Sequence, residues 1–229
     1  MVASGDVLIL TPDQLPEIPQ ADVVLFGLWV TPETAGNFGV MFCRRENPEE
    51  LITFLQKPTP DIIREKSRNN SFLIDAGIWL LSEKAVNSLM QNCGWHHKTQ
   101  TFSNKVPDTY DLYGSWALSL GAAPVQKDSS IAELTTAVVP LPDAGFYHFG
   151  TNNDLIQSLY DIQNLVSDQS RLGFRDMKSN QSIWVENSSI PPSWSLGSCN
   201  VLTGVEENNW DITLPDGVCV DIVPHLWFC

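Results

Sequence analysis

Four short stretches of the chain carry side chains suited to chemistry on a charged substrate. Ser4-Gly5-Asp6 offers a carboxylate where a strand gives way to a turn, the position at which layered α/β proteins hold cations and nucleotides. An ordinary turn accounts for most Gly-Asp pairs, so this one is informative only in company. Gln56-Lys57-Pro58 sets a lysine at the end of an element in a lysine-poor chain. A fixed ammonium is a point-charge partner for phosphate, and a solvated lysine before a turn is the plainer reading. Asp75-Ala76-Gly77-Ile78 places a carboxylate inside an apolar run. A buried charge is costly unless paired or ligand-bound, so a binding residue and a structural hydrogen bond explain it equally well. Phe146-Tyr147-His148-Phe149-Gly150-Thr151 brings a histidine to the start of a helix. That setting suits a metal ligand, a phosphate donor or a core histidine bonded to backbone. His96-His97, on a loop after Gly94-Trp95, has no further ligand nearby and is discounted as a metal site.

Other mechanisms have no support. The chain contains no GxSxG, no GxxxxGK(S/T) and no HExxH, which removes nucleophilic hydrolases, P-loop kinases and zinc proteases of those types. With 27 acidic against 13 basic side chains in 229 residues, the net charge is −14. That opposes bulk binding to nucleic acid or an anionic membrane, either of which needs a clustered basic surface. Phosphate recognition must therefore rest on a few lysines, backbone amides or a divalent cation. The five cysteines are odd in number, scattered and without a CxxC pair, and read as reduced thiols of a cytoplasmic protein rather than a disulfide framework. No apolar run approaches the roughly 18 residues of a membrane span, and no basic segment leads an apolar one as in a signal peptide.

The elements that must position these residues follow from periodicity. Asp6–Leu10 reads as the end of a buried strand, and Asp22–Val30, continuously apolar, as a strand covered on both faces. Pro48–Gln56 opens with proline and two acids, as a short helix does. Ser71–Leu81 is a strand interrupted by Asp75, and Ser82 caps a helix with apolar residues at 85, 86, 89 and 90. A second helix starts near Asp111, with Leu112, Trp116 and Leu120 on one stripe. Strands over Ala137–Leu141 and Phe146–Gly150 precede a helix from Asn152, capped by Thr151 or Asn152, with Leu155, Leu159, Ile162 and Val166 as its apolar stripe. Strands alternating with helices through residue 168 predict an α/β layered domain with a parallel or mixed sheet.

After Ser170 helical spacing stops. Hexads beginning at Val185, Leu196, Leu202, Ile212 and Val218 set an aliphatic residue every six positions, the pattern of hexapeptide-repeat β-helix coils, with a β-meander as the alternative. So few coils do not make a free-standing solenoid. The apolar terminus Leu226-Trp227-Phe228 and the strand at the very start suggest a piece of a longer chain, against a complete protein whose end strands are tied into a sheet. The organisation expected is a domain over 1–170 and an incomplete hexapeptide-type segment over 171–229.

Taken in order, these stretches resemble a known family. Ala3–Leu8, Asn37–Phe42, Phe54–Pro58, Ile74–Trp79, Tyr110–Gly114 and Phe146–Thr151 are similar to the guanylyltransferase region of GDP-L-fucose pyrophosphorylases, including that part of bifunctional fucokinase/GDP-fucose pyrophosphorylases. The resemblance implies the C-terminal part of a GT-A-like, Rossmann-like nucleotidyltransferase domain followed by the start of a left-handed β-helix. It implies a reaction of GTP with L-fucose 1-phosphate that yields GDP-L-fucose and pyrophosphate, with Mg²⁺ or Mn²⁺ as cofactor. By the same resemblance Asp6 holds the cation, and His148 stands where relatives carry a second metal-binding aspartate. Lys57 is the catalytic lysine at the sugar phosphate, Asp75 and Gly77 border the sugar pocket, and Tyr110, Asp111, Tyr113 and Thr151 line the substrate. The family's Gly-rich loop with its Thr-Arg, which grips the nucleotide, has no counterpart in this sequence, which implies that the chain alone does not turn over. A sugar-phosphate-binding module and an assembly module that self-associates through the incomplete β-helix remain as alternatives.

Overall fold

The computed structural model describes residues 1–11, 16–166 and 183–223, with side chains of the long helix described through residue 162. The expected boundary at 170/171, the side chain of Val166, Cys229 and the Leu226-Trp227-Phe228 tail lie outside the described residues. The chain divides into two compact units, Met1–Gly5 with Ile9–Phe146 and Asp6–Leu8 with Tyr147–Cys229. Among the described residues no helix is long and apolar enough to cross a membrane. The four cysteines among them are free thiols.

The first unit is a mixed sheet with helices on both faces. Strand β1 (Val2–Ala3) comes first, then β2 (Val7–Leu10) and β3 (Val23–Leu28). Short helix α1 (Pro32–Ala35) leads to β4 (Gly39–Arg44) and β5 (Asn47–Gln56), and α2 (Pro60–Lys66) to β6 (Asn70–Leu81) and α3 (Glu83–Asn92). A small hairpin of β7 (Trp95–His96) and β8 (Thr101–Phe102) precedes β9 (Thr136–Pro140) and β10 (Gly145–His148). The sheet runs β5-β4-β6-β3-β9, with β1 added on β6, and only β3 and β9 in it are parallel.

Successive residues of a strand face opposite sides, and the core divides accordingly. Val23, Leu25, Met41, Cys43 and Leu73 pack on one face with Ala85 of α3 and with Trp116, Ala117 and Leu120. Val24, Phe26, Val40, Phe42 and Ile74 pack on the other with Ala35 of α1 and Ile63 of α2. Every residue of β3 is buried, as its continuous apolar run predicts. Each such side chain contributes about 1.5–3 kcal/mol relative to exposure.

Three sequence expectations are corrected here. Pro48–Gln56 is not a helix but most of strand β5, paired antiparallel with β4 from Gly39↔Gln56 to Arg44↔Asn47. Leu51 and Phe54 are buried in the core on one face, and because β5 is an edge, Pro48 breaks no interior ladder. Asp6–Leu10 is not buried. In β2, Leu8 and Leu10 are 39% and 42% exposed, because its ribbon with β10 has two strands and cannot cover both faces. The helix from Asp111 is a wide turn, with Trp116 N–H bonding Asp111 O, followed by a tight turn over Ala117–Ser119. Asp111 caps it through Oδ1, which accepts from Tyr113 N and Gly114 N at 2.9 Å each.

The second unit begins with the strand ends around Asp6 and His148 and continues as helix α4 (Asn152–Val166). It then forms coils of short strands: β11 (Ile183–Glu186), β12 (Ser195–Leu196), β13 (Asn200–Thr203), β14 (Thr213–Leu214) and β15 (Cys219–Asp221). β11, β13 and β15 pair in parallel, as do β12 and β14. Partners lie 17 residues apart from β11 to β13, and 18 apart from β13 to β15 and from β12 to β14. Leu196 therefore stacks on Leu214, and Leu202 on Val220. The later hexads accordingly start two residues after the Ile212 and Val218 read from spacing alone.

Corners of the coils recur with the same period. Asn187 and Gly204 take left-handed backbone at one corner, Cys199 and Gly217 at another. On one face of these strands Trp184 and Val201 pack with Ile156 of α4, and on the other Leu202 packs with Trp194 and Val205 in a separate cluster.

Candidate functional site

In the first unit, strand β6 carries Asp75 into the sheet, where it is only 6% exposed. Its Oδ1 accepts from the Trp79 indole N–H at 2.9 Å, four residues further along the strand. Burial pushes the Asp75 carboxyl up to about 7, and hydrogen bonds from Trp79, the Gly77 N–H and the Tyr113 hydroxyl act in the opposite direction. The carboxyl is therefore poised to change charge near neutrality.

Gly77 takes left-handed backbone at φ 74°, a conformation glycine adopts freely, and its carbonyl accepts from Ser4 N at 2.7 Å. Trp79 stacks on Trp116 at 5.9 Å and meets Tyr113 edge-on at 5.4 Å and Phe54 at 6.1 Å. This aromatic cage fixes the ring that holds Asp75. Tyr110 packs against the same core, and burial raises its phenol, with Asp128 and Cys93 adding to the shift.

The structure thus brings Asp75, Gly77 and Tyr113 together. Asp111 serves its helical turn, and Lys57 is exposed at the end of β5. The Lys57 backbone is left-handed, φ 46°, and its N–H bonds Phe38 O at 3.0 Å. A lysine at positive φ directly before proline is strained, and such strain gathers at functional sites.

In the second unit, Phe149 N–H bonds Asp6 O at 2.8 Å, which sets Asp6 beside the end of β10. His148 Nε2 lies 3.6 Å from Asp6 Oδ2, and Nδ1 lies 3.2 Å from Asp154 Oδ2. Thr151 caps α4: its Oγ1 accepts from Asp154 N at 3.1 Å and donates to Asp154 Oδ2 at 2.7 Å. Ser158 Oγ, on the next turns of α4, donates to His148 O at 2.7 Å. A Cβ on Gly150 would run into the imidazole, so glycine there lets the ring lie against the backbone.

Among the described residues no group of three or more His, Cys, Asp or Glu side chains is arranged as a metal site. The Asp6–His148 pair fits a cation that takes its other ligands from phosphate and water. Donors bonded at about 2.1 Å to one octahedral ion lie about 3 Å apart in neighbouring positions, close to the 3.6 Å observed. Sequence reading named Asp6, His148 and Thr151 and missed Asp154. Its signal was present as the third residue beyond a helix-capping threonine. Trp79 was missed as well, for want of any sequence mark that an indole would reach back to Asp75.

The chain is 41% identical over 242 aligned residues, 98% of its length, to the L-fucokinase/L-fucose-1-P guanylyltransferase of Bacteroides fragilis. It spans 25% of that protein's length. No protein-family model matches it. Among solved structures it is similar to the mannose-1-phosphate geranyltransferase from Thermus thermophilus, with a TM-score of 0.42 and 15% identity, covering 88% of this chain and 53% of that one. A likeness of that degree does not bear on function. The sequence relationship, over a quarter of that protein, is thus to a bifunctional L-fucokinase/L-fucose-1-P guanylyltransferase, the kind of protein its motifs resemble.

Proposed function

We propose that the chain is part of a sugar-1-phosphate nucleotidyltransferase that makes GDP-L-fucose and pyrophosphate from GTP and L-fucose 1-phosphate. The observation that carries this reading is identity of 41% sustained over 98% of the chain to a protein whose name includes that activity. In the reaction the sugar phosphate oxygen attacks the α-phosphorus in line, and pyrophosphate leaves without a covalent enzyme intermediate. Lys57 counters the charge of the sugar phosphate, its strained backbone holding the ammonium in place before binding. Asp75, fixed by Trp79, and Gly77 border the sugar, with Tyr110, Asp111, Tyr113 and Thr151 on the substrate side. A divalent cation, Mg²⁺ or Mn²⁺, would supply charge neutralisation at the phosphates when held by Asp6 and His148.

In this reading residues 1–170 are the rear of a nucleotidyltransferase domain and 171–229 begin a left-handed β-helix. The 18-residue repeat, three hexads to a coil, supports the second assignment. Because the Gly-rich nucleotide loop is not in this sequence, the chain alone binds sugar phosphate without turning over.

Calorimetric titration with L-fucose 1-phosphate tests the reading. Binding weakened at least about tenfold by Lys57→Ala, the loss of a charge-assisted contact, is expected. No binding, or binding indifferent to that change, overturns it. Pyrophosphate release from GTP and L-fucose 1-phosphate at a rate typical of an intact enzyme would sink the claim of no turnover. A second reading, a self-associating assembly module, draws on β15, which pairs with β13 and leaves Cys219 and Asp221 exposed. Sedimentation that changes with protein concentration would favour it.

A further inference from the structure

We propose that Asp154 is a positioning residue that fixes the tautomer of His148 and so presents its Nε2 lone pair toward Asp6. The inference rests on the metal reading of the Asp6–His148 pair made above. An ionised carboxylate is acceptor-only, so Asp154 Oδ2 at 3.2 Å favours the proton on the imidazole Nδ1. In the neutral ring Nε2 is then the acceptor, and it is the nitrogen nearer Asp6 Oδ2. This is the arrangement by which a carboxylate on the far nitrogen orients a metal-bound histidine and raises its basicity.

Three further features hold the ring in that pose. The Gly150 backbone lies against its face, Ser158 fixes the His148 carbonyl, and Thr151 Oγ1–H holds the same Asp154 oxygen that meets Nδ1. Helix capping alone accounts for the Thr151 bonds to Asp154 but not for the second approach of that oxygen to the imidazole. The substitution Asp154→Ala tests the role: it removes the oxygen that meets Nδ1 and adds no donor, so neither tautomer of His148 is selected.

The test is a long-range ¹H–¹⁵N spectrum of the histidine rings of the full chain at about pH 8.5, two units above the ordinary histidine value. The His148 signals are assigned with His148→Gln, and Mn²⁺ alone serves as a paramagnetic probe. The expected result is an Nδ1–H tautomer in the wild type, selectively broadened by Mn²⁺, and a mixture of tautomers in D154A. Broadening in D154A should need about 10–100-fold more Mn²⁺, the usual cost of losing such an outer partner. An Nε2–H wild type, or the same tautomer in both proteins, overturns the role of Asp154. A tautomer preference that is lost in D154A while Mn²⁺ broadens neither protein overturns the metal reading and leaves Asp154 as the residue that sets His148. Should D154A not fold, the wild-type tautomer still decides.

Discussion

Asp75 in the first unit is 6% exposed and held by an indole, a backbone N–H and a phenol, whereas the Asp6 side chain in the second is 48% exposed and faces an imidazole. One unit buries its carboxylate in a two-faced sheet core that disfavours charge. The other keeps its carboxylate among polar partners at a helix start, where charge costs little. The same side chain is thus pushed toward its neutral form in the first setting and left free to carry charge among polar partners in the second. Among the described residues the scaffolds differ too: the sheet unit packs fifteen buried residues into one cluster, while the buried clusters of the coil unit hold three each.

The largest expected effect breaks the contrast at Asp75. Its folded value near 7 stands above the ordinary 3.8, so the folded state binds this proton more tightly. The stabilisation is complete below about pH 4 and is lost as pH rises through 7. Asp75→Asn removes that slope. At pH 8 the variant should exceed the wild type by roughly 2–4 kcal/mol, read as slower hydrogen exchange across β6, and it should weaken sugar-phosphate binding. Parallel pH curves for the two proteins would show that Asp75 is not held as described.

A smaller effect concerns the coils. Asn200 is fully buried, donates to Gly197 O at 2.9 Å and accepts from Val218 N at 2.9 Å, so it ties one coil to the next. Asn200→Ala should cost about 1–3 kcal/mol and speed exchange over Val218–Asp221 while β6 is unchanged. Equal loss of protection in both units would remove the distinction between them. The smallest effect separates strain from charge at Lys57. Lys57→Gly should be more stable than Lys57→Ala by about 0.5–1 kcal/mol, because only glycine is at ease at positive φ, yet both should lose sugar-phosphate binding. Equal stability of the two would mean that the backbone there is not strained.

Some of this was legible before any coordinates. Ser82 at the head of α3, Thr151 at the head of α4 and the fully buried β3 follow from short-range rules of capping and hydrophobic run length. Pro48–Gln56 failed because helix-start chemistry and edge-strand chemistry share proline and acids, and the decision came from pairing with β4. The later hexads were placed two residues early, because their register depends on which strand pairs with which, 18 residues apart.

The sequence by itself determined the residue types that bear on phosphate and cation chemistry, the acidic balance that confines phosphate recognition to a few sites, and the order of motifs that carries the family resemblance. Those are properties of composition and local spacing. Only the tertiary structure decided that burial raises the Asp75 carboxyl to about 7, that Trp79 holds it, and that Asp154 reaches His148 from the far side of the ring. Desolvation and hydrogen-bond direction depend on what surrounds a side chain in three dimensions, and no linear spacing records that.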